Sequence, residues 1–336
     1  MKSTLIKLLV AGLGLWLLNS RGEAQPVVAT QPTNQIVLNR SNVVFSVAVT
    51  GTGPFTYQWQ FNGINLPNDL ITTVAGNGNG GFSGDGVLAT ASSLHYPLGV
   101  TVDNFGNLFI ADNYNSRVRR VDTNGIISTV AGNGVAGYSD GGIATNVNLT
   151  DPSGVAVDSA GNIFFVDAGN EQVYKVDTSG ILTALAARGT FYNPLGIAMD
   201  HSGYLYIADA SNNRVVKVNQ SGTISTVAGD GDSYYYGDGG PATAAGVHQP
   251  FGTAVDNIGN LFIAEASSGC IRKVDTNAII STIVTGLNEP YGVAVDNVGN
   301  IFIANTWNNR IQKKPRIQGG FEGGKWPPNL YARLPF

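Results

Sequence analysis

Residues 97 to 112 read PLGVTVDNFGNLFIAD. A proline opens a short alternation of apolar and small or polar residues, an Asp-x-x-Gly-Asn corner reverses the chain, and a continuously apolar run follows. Alternation marks a strand with one solvated face. An unbroken apolar run between turn residues marks a short strand buried on both faces. Nearly the same stretch returns as Pro152-Ser-Gly-Val-Ala-Val-Asp158, Pro194-Leu-Gly-Ile-Ala-Met-Asp200, Pro250-Phe-Gly-Thr-Ala-Val-Asp256 and Pro290-Tyr-Gly-Val-Ala-Val-Asp296. The opening prolines stand 55, 42, 56 and 40 residues apart, so the unit is about forty residues long, with extra material in alternate connections. A period in this range signals a propeller or a solenoid, and the content of each unit decides which.

Each unit carries two further strand signals, RVRRVD and then ISTVAG after an Asn-Gly turn in the first copy. They recur over 172–177 with 181–186, 214–219 with 224–229, and 270–275 with 279–285. No helical run of useful length separates them. Four antiparallel strands in forty residues make a blade of a β-propeller, an all-β fold in which radial packing covers nearly every sheet edge. At these residues the chain resembles the NHL repeat, a propeller family: P-x-G-V-A-V-D, then D-x-x-G-N-L-F-I-A-D-x-x-N-x-R-V. The resemblance covers roughly residues 70 to 314. Asp112, Asp167 and Asp209 keep the acid that closes the second strand, whereas Glu265 and Asn305 replace it; Arg117, Arg214 and Arg310 keep the basic residue that opens the third, whereas Gln172 and Cys270 do not. The Asn-His-Leu tripeptide that names the family is absent.

The fourth-strand motif also occurs before any first strand, as ITTVAG at 71–76, while the last unit supplies only three strands before Pro315. The expected architecture is five four-stranded blades over 70–315, with Ile71 to Ala75 completing the last blade and closing the ring. Six blades are the alternative, because the resemblance implies six and residues 27–66 contain strand-like runs. That earlier stretch reads more readily as a partial immunoglobulin-like segment over 25–68, with Trp59 at the core position of its third strand. Residues 316–336 match nothing in the repeat and read as an irregular tail.

With 336 residues, 43% of them hydrophobic, 12% charged and 44 of them glycine, the chain is long enough for a sizeable core with many tight turns. A formal net charge of -4 lacks the electrostatic footprint of a nucleic-acid binder, so nucleic acid is not an expected partner. Cys270 is the one cysteine, which leaves no intrachain disulfide. Lys2 and Lys7 precede the apolar stretch LLVAGLGLWLL, followed by Gly22-Glu23-Ala24. That layout predicts a secretory signal peptide over 1–24, hence a secreted or cell-envelope protein of bacterial type, monomeric and with no membrane span after cleavage.

The candidates for chemistry are few. Metal and acid-base work depend on imidazole at neutral pH. His95 and His248 both lie two residues before a blade-opening proline, at the expected mouth of the central channel, and His201 lies in an Asp-x-x-Gly corner. Asp103, Asp158, Asp200, Asp256 and Asp296 recur once per blade, as a folding constraint does, and read as structural turn residues. Arg120, Lys175, Lys217, Lys273 and Lys313 recur likewise. Asp85, Asp140, Asp230, Asp232 and Asp238 lie among glycines in the three long connections, a composition compatible with calcium but with no EF-hand or RTX spacing. In the third connection, Pro241 reads as the first residue of a helix. No Ser-His-Asp set, phosphate loop or Cys-x-x-Cys can be assembled. No catalytic residue, resident metal or cofactor is expected; calcium or zinc are the ions these side chains would suit.

What varies between copies at the channel mouth is a set of aromatics and histidines: His95, Tyr96, Tyr192, His248, Phe251, Tyr291 and Trp307. Variable residues on a constant scaffold are a usual carrier of recognition. The expected function is a non-catalytic binding scaffold for an extracellular protein or glycan. The alternative is a metal-dependent propeller enzyme of lyase or lactonase type with its site in the channel, which the resemblance also admits.

Overall fold

The computed structural model describes residues 73–219 and 222–315 throughout and, ahead of them, the strands Thr4–Val10, Leu13–Asn19, Val27–Thr30, Ala48–Thr50, Thr56–Phe61 and Ile64–Asn65. The chain divides into two compact units, Met1–Thr73 and Val74–Phe336.

In the first unit, Thr4–Val10 pairs antiparallel with Leu13–Asn19, which pairs in turn with Thr56–Phe61, placing Leu15 opposite Trp59. Val27–Thr30 and Ala48–Thr50 form a separate two-stranded sheet. The described strands within 27–66 therefore belong to two sheets and not to one four-stranded blade. The expected leader cleavage after Ala24, the boundary at Asn68 and the tail over 316–336 lie outside the described residues.

The second unit is a five-bladed β-propeller. Its sheets run in chain order from an inner strand to an outer one. Blade one comprises Pro97–Val102, Leu108–Asp112, Arg117–Val121 and Ile126–Ala131. Blade two comprises Pro152–Val157, Ile163–Asp167, Gln172–Val176 and Ile181–Ala184. Blade three comprises Pro194–Met199, Leu205–Asp209, Arg214–Val218 and Ile224–Ala228. Blade four comprises Pro250–Val255, Leu261–Glu265, Cys270–Val274 and Ile280–Val284. Among the described residues, blade five comprises three strands, Pro290–Val295, Ile301–Asn305 and Arg310–Lys314.

Local chemistry explains the hairpins. Asp103 Oδ1 accepts the backbone N–H groups of Phe105 and Asn107 at 2.9 and 2.8 Å, and its Oδ2 accepts the Asn107 amide at 2.7 Å. Asp158, Asp256 and Asp296 make the same three bonds. Asp200 accepts the two backbone donors, from Ser202 and Tyr204. One carboxylate thus replaces the solvent that a tight turn would otherwise need.

Blades pack face to face through apolar second and third strands. Phe109 and Val118 of blade one join Val155, Phe165 and Tyr174 of blade two in one core, and the pattern repeats at the next three interfaces. The glycine of each Pro-x-Gly lets the inner strands approach. A Cβ on Gly99, Gly154, Gly196 or Gly252 would lie 2.1 to 2.7 Å from a carbonyl oxygen of the next blade, at Ser153, Leu195, Phe251 and Tyr291 respectively. No side chain fits there.

The long connections cap outer edges. Val87–Leu88 pairs with Ile126 and Ile127, Gly141–Ile143 pairs with Ile181 to Thr183, and Pro241 bridges to Ile279. Each connection therefore adds backbone to the outer strand of the blade that follows it, hiding an exposed edge. After Pro241 the chain makes a single 3-10 turn, Ala242–Ala244, and not the helix expected there.

The closing strand also differs from expectation. Thr73 to Ala75 form no strand, Ile71 and Thr72 lie outside the described residues, and among the described residues no strand pairs with the outer edge of blade five. Ala75 packs against the outer half of blade one and the Gly76 N–H donates to the Ala89 carbonyl at 2.9 Å, while Val74 is 59% exposed. These contacts hold the segment to the connection ahead of blade one.

Candidate functional site at one end of the channel

The residue two places before each blade proline is fixed by a buried group that ends the second strand. The backbone N–H groups of His95, Thr150, Tyr192 and His248 donate to the carboxylates of Asp112, Asp167, Asp209 and Glu265 at 2.7, 2.7, 2.8 and 3.2 Å. Asn288 donates to Asn305 Oδ1 at 2.8 Å. A second tie runs the other way across the same end of each blade; for example, Tyr114 N–H donates to the His95 carbonyl and Trp307 N–H to that of Asn288. The residue just before each proline is left-handed, at Tyr96, Asp151, Asn193, Gln249 and Glu289. That strain recurs in all five blades, so it belongs to the scaffold and marks no single site.

The buried acids are compensated unequally. Arg119, itself fully buried, reaches Asp112 at 3.4 Å and Asp85 at 2.9 Å; Arg272 reaches Glu265 at 3.0 Å and Asp238 at 2.9 Å. Asp209 pairs with Arg214 at 2.8 Å. Asp167 has Tyr174 and Gln172 where the other blades place arginines, and burial pushes its carboxyl up to about 7. Burial also raises Glu265, with the Arg272 charge opposing it. Two of the acids that suggested calcium, Asp85 and Asp238, therefore face guanidinium groups. Among the described residues no group of three or more His, Cys, Asp or Glu side chains is placed to hold a metal ion.

On this scaffold lie the aromatics. Tyr96 and Tyr114 stack at 4.9 Å with their rings 15° apart, and the His95 ring meets Tyr114 edge-on at 5.1 Å. Phe251 of blade four stacks on Tyr291 of blade five at 4.4 Å, and the Tyr291 hydroxyl donates to Glu289 at 2.7 Å. Tyr96, Tyr114 and Trp307 are each about three-fifths exposed, at 60%, 60% and 62%, and Tyr192 is also exposed. His248 belongs to none of these ring contacts; its backbone N–H donates to Glu265. His201 lies at the opposite end, with its Nε2 2.8 Å from Asn257 Oδ1.

Tyr114 and Glu289 are the members that the repeat alignment passed over. Tyr114 holds the position that Gly169, Ser211, Ser267 and Trp307 hold in the other blades, so the same variability that singled out Trp307 would have found it. The recurrent bases have a scaffold role: Arg120, Lys175, Lys217, Lys273 and Lys313 each stand across the strand pair from an aromatic residue, as Lys175 does from Phe164. Lys217 lies 3.8 Å from the centre of the Tyr204 ring. The buried Arg119 and Arg272 carried no signal that separates them from surface arginines.

Comparison with known proteins places this geometry. The family model of the teneurin NHL domain matches residues 72–138, 135–190 and 229–288, and that of the NHL repeat matches 287–313. A stretch of 86 residues is 34% identical to the chloroplastic protein SUPPRESSOR OF QUENCHING 1 of Arabidopsis thaliana, covering 25% of this chain and 8% of that one. Another of 49 residues is 51% identical to teneurin-4 of Mus musculus, covering 15% of this chain and 2% of that one. The chain thus spans less than a tenth of the length of these relatives. Among solved structures, the nidogen/laminin complex contains a chain similar in fold, with a TM-score of 0.52 at 18% identity over 66% of this chain and 78% of that one. With more than half of its residues matched by one family model, the chain belongs to the teneurin NHL-domain family.

Proposed function

We propose that this chain is a secreted binding module that engages an extracellular protein or a glycan through the aromatic end of its channel. The observation that carries the reading is the pair of stacked, solvent-facing phenol rings of Tyr96 and Tyr114 with His95 at their edge. Exposed rings of this size are costly to leave in water and supply large, rigid contact area to a partner. They stand on backbone fixed by buried carboxylates, so little conformational entropy is lost on binding. Secretion rests on Lys2, Lys7 and the apolar stretch that follows them.

Two measurements test the reading. Amino-terminal sequencing of the exported chain is expected to begin at Gln25. Binding of the mature chain to an array of extracellular glycans and matrix proteins is expected to yield a ligand whose affinity falls roughly tenfold or more in Tyr96→Ala and Tyr114→Ala, the loss typical of an aromatic anchor. Unchanged affinity in both variants, with folding intact, would refute the assignment of this surface.

A further inference from the structure

Among the described residues, blades five and one share no packed core, and a cleft lies between them. At the other four interfaces the faces meet. The second- and third-strand pairs Phe109 and Val118, Phe164 and Val173, Tyr206 and Val215, and Phe262 and Ile271 are all buried against the following blade. Their counterparts in blade five are Phe302, only partly buried, and Ile311, 74% exposed. Across the cleft, Leu98, Val100 and Val102 lie on one face of the inner strand of blade one and are 50%, 63% and 58% exposed. The equivalent Ser153 and Val155 of blade two are buried.

The backbone interlock stops at the same place. Gly99, Gly154, Gly196 and Gly252 each approach a carbonyl of the next blade, whereas among the described residues a Cβ on Gly292 would meet only Ala304 of its own blade, at 3.3 Å. A third mark lies at the outer radius. Gly132, after the last strand of blade one, donates to the Ala144 carbonyl ahead of blade two, and Gly229 donates likewise to Ala242 ahead of blade four. Gly76 makes this bond to Ala89 ahead of blade one, so the chain already holds the place where a preceding blade would hand over.

We propose that this cleft is a docking site for a further β-blade supplied by another polypeptide and built on the same Pro-x-Gly repeat. The argument is continuity with an interface the molecule makes four times. One wall presents a glycine that lacks its carbonyl, the other a Leu98 carbonyl that lacks its glycine, and the apolar faces between them match those of an ordinary repeat. A blade inserted there completes both contacts and buries both faces. The cationic third strand of blade five, with Arg310, Lys313 and Lys314, disfavours pairing of its edge with unrelated strands.

The test uses the whole chain and, as probe, a synthetic polypeptide with the sequence of residues 190–229, one blade of this protein. The expected result is one-to-one binding, with slowed amide exchange at residues 98–102 and 301–311, and an affinity roughly tenfold or more weaker in Val100→Asp, which buries an unpaired carboxylate in the contact. Val100 is solvent-facing, so that variant folds. If the probe self-associates, a copy of residues 177–229 joined directly after Lys314 replaces it; raised Tm and the same protection are then expected. No binding at submillimolar probe, binding indifferent to Val100→Asp, a graft that leaves residues 98–102 exchanging as before, or dimerisation of the chain through this cleft would each overturn the proposal.

Discussion

Replacing Asp167 by asparagine should flatten the pH dependence of stability. The carboxyl is fully buried, has no cation in the place that Arg119 and Arg272 occupy in blades one and four, and is pushed by burial from 3.8 up to about 7. Below pH 3.8 both folded and unfolded chains hold the proton. Between 3.8 and about 7 the unfolded chain releases it while the folded chain keeps it, so stability is lost as pH rises through this window and is level above it. At about 1.4 kcal/mol per pKa unit, the wild-type chain loses roughly 2–3 kcal/mol through this group between pH 5 and pH 8. In a domain of this size that is a difference of about 5–10 °C in Tm. The assay is urea or thermal unfolding of both proteins at half-unit pH steps, read as the difference between them. Asn305 holds the same place in blade five and accepts the Asn288 N–H, so the substitution has a precedent in this molecule. Any constant cost from the altered bond to Asn170 shifts the difference without changing its slope. Parallel stability curves for the two proteins between pH 5 and pH 8 would refute the reasoning.

Gly154→Ala would place a Cβ 2.7 Å from the Leu195 carbonyl and 2.9 Å from the Ile197 nitrogen, backbone atoms that cannot yield, and is expected to cost about 2–3 kcal/mol in urea unfolding. Among the described residues Gly292→Ala meets only Ala304 and should cost under about 1 kcal/mol; equal losses would mean that the cleft is closed. Arg272→Met strands the buried Glu265 and should destabilise by about 3–5 kcal/mol, with Glu265→Gln in the same chain restoring much of the loss. Burial pushes the Cys270 thiol up to about 12, so Ellman's reagent at pH 8 should leave the native protein unlabelled and label it fully in denaturant.

The repeat was legible because each blade solves the same local problem with the same residues: a proline and glycine where inner strands approach, an aspartate that closes a turn, an apolar run that is buried on both faces. Those are short-range requirements, written within about ten residues of one another, and they determined the all-β class and the repeated four-strand unit. What the sequence alone misplaced depended on contacts distant along the chain. ITTVAG has the composition of an outer strand, yet its described end is held by Ala89 ahead of blade one. Arg119 and Arg272 look like any surface arginine until the connection thirty-odd residues upstream brings Asp85 and Asp238 onto them. The stacking of Tyr96 on Tyr114, and the apolar cleft beside blade one, follow from which faces the ring leaves without a neighbour. Local sequence can encode a blade; whether each blade has a partner on both sides is settled by the tertiary structure, because burial is a property of the neighbour as much as of the residue.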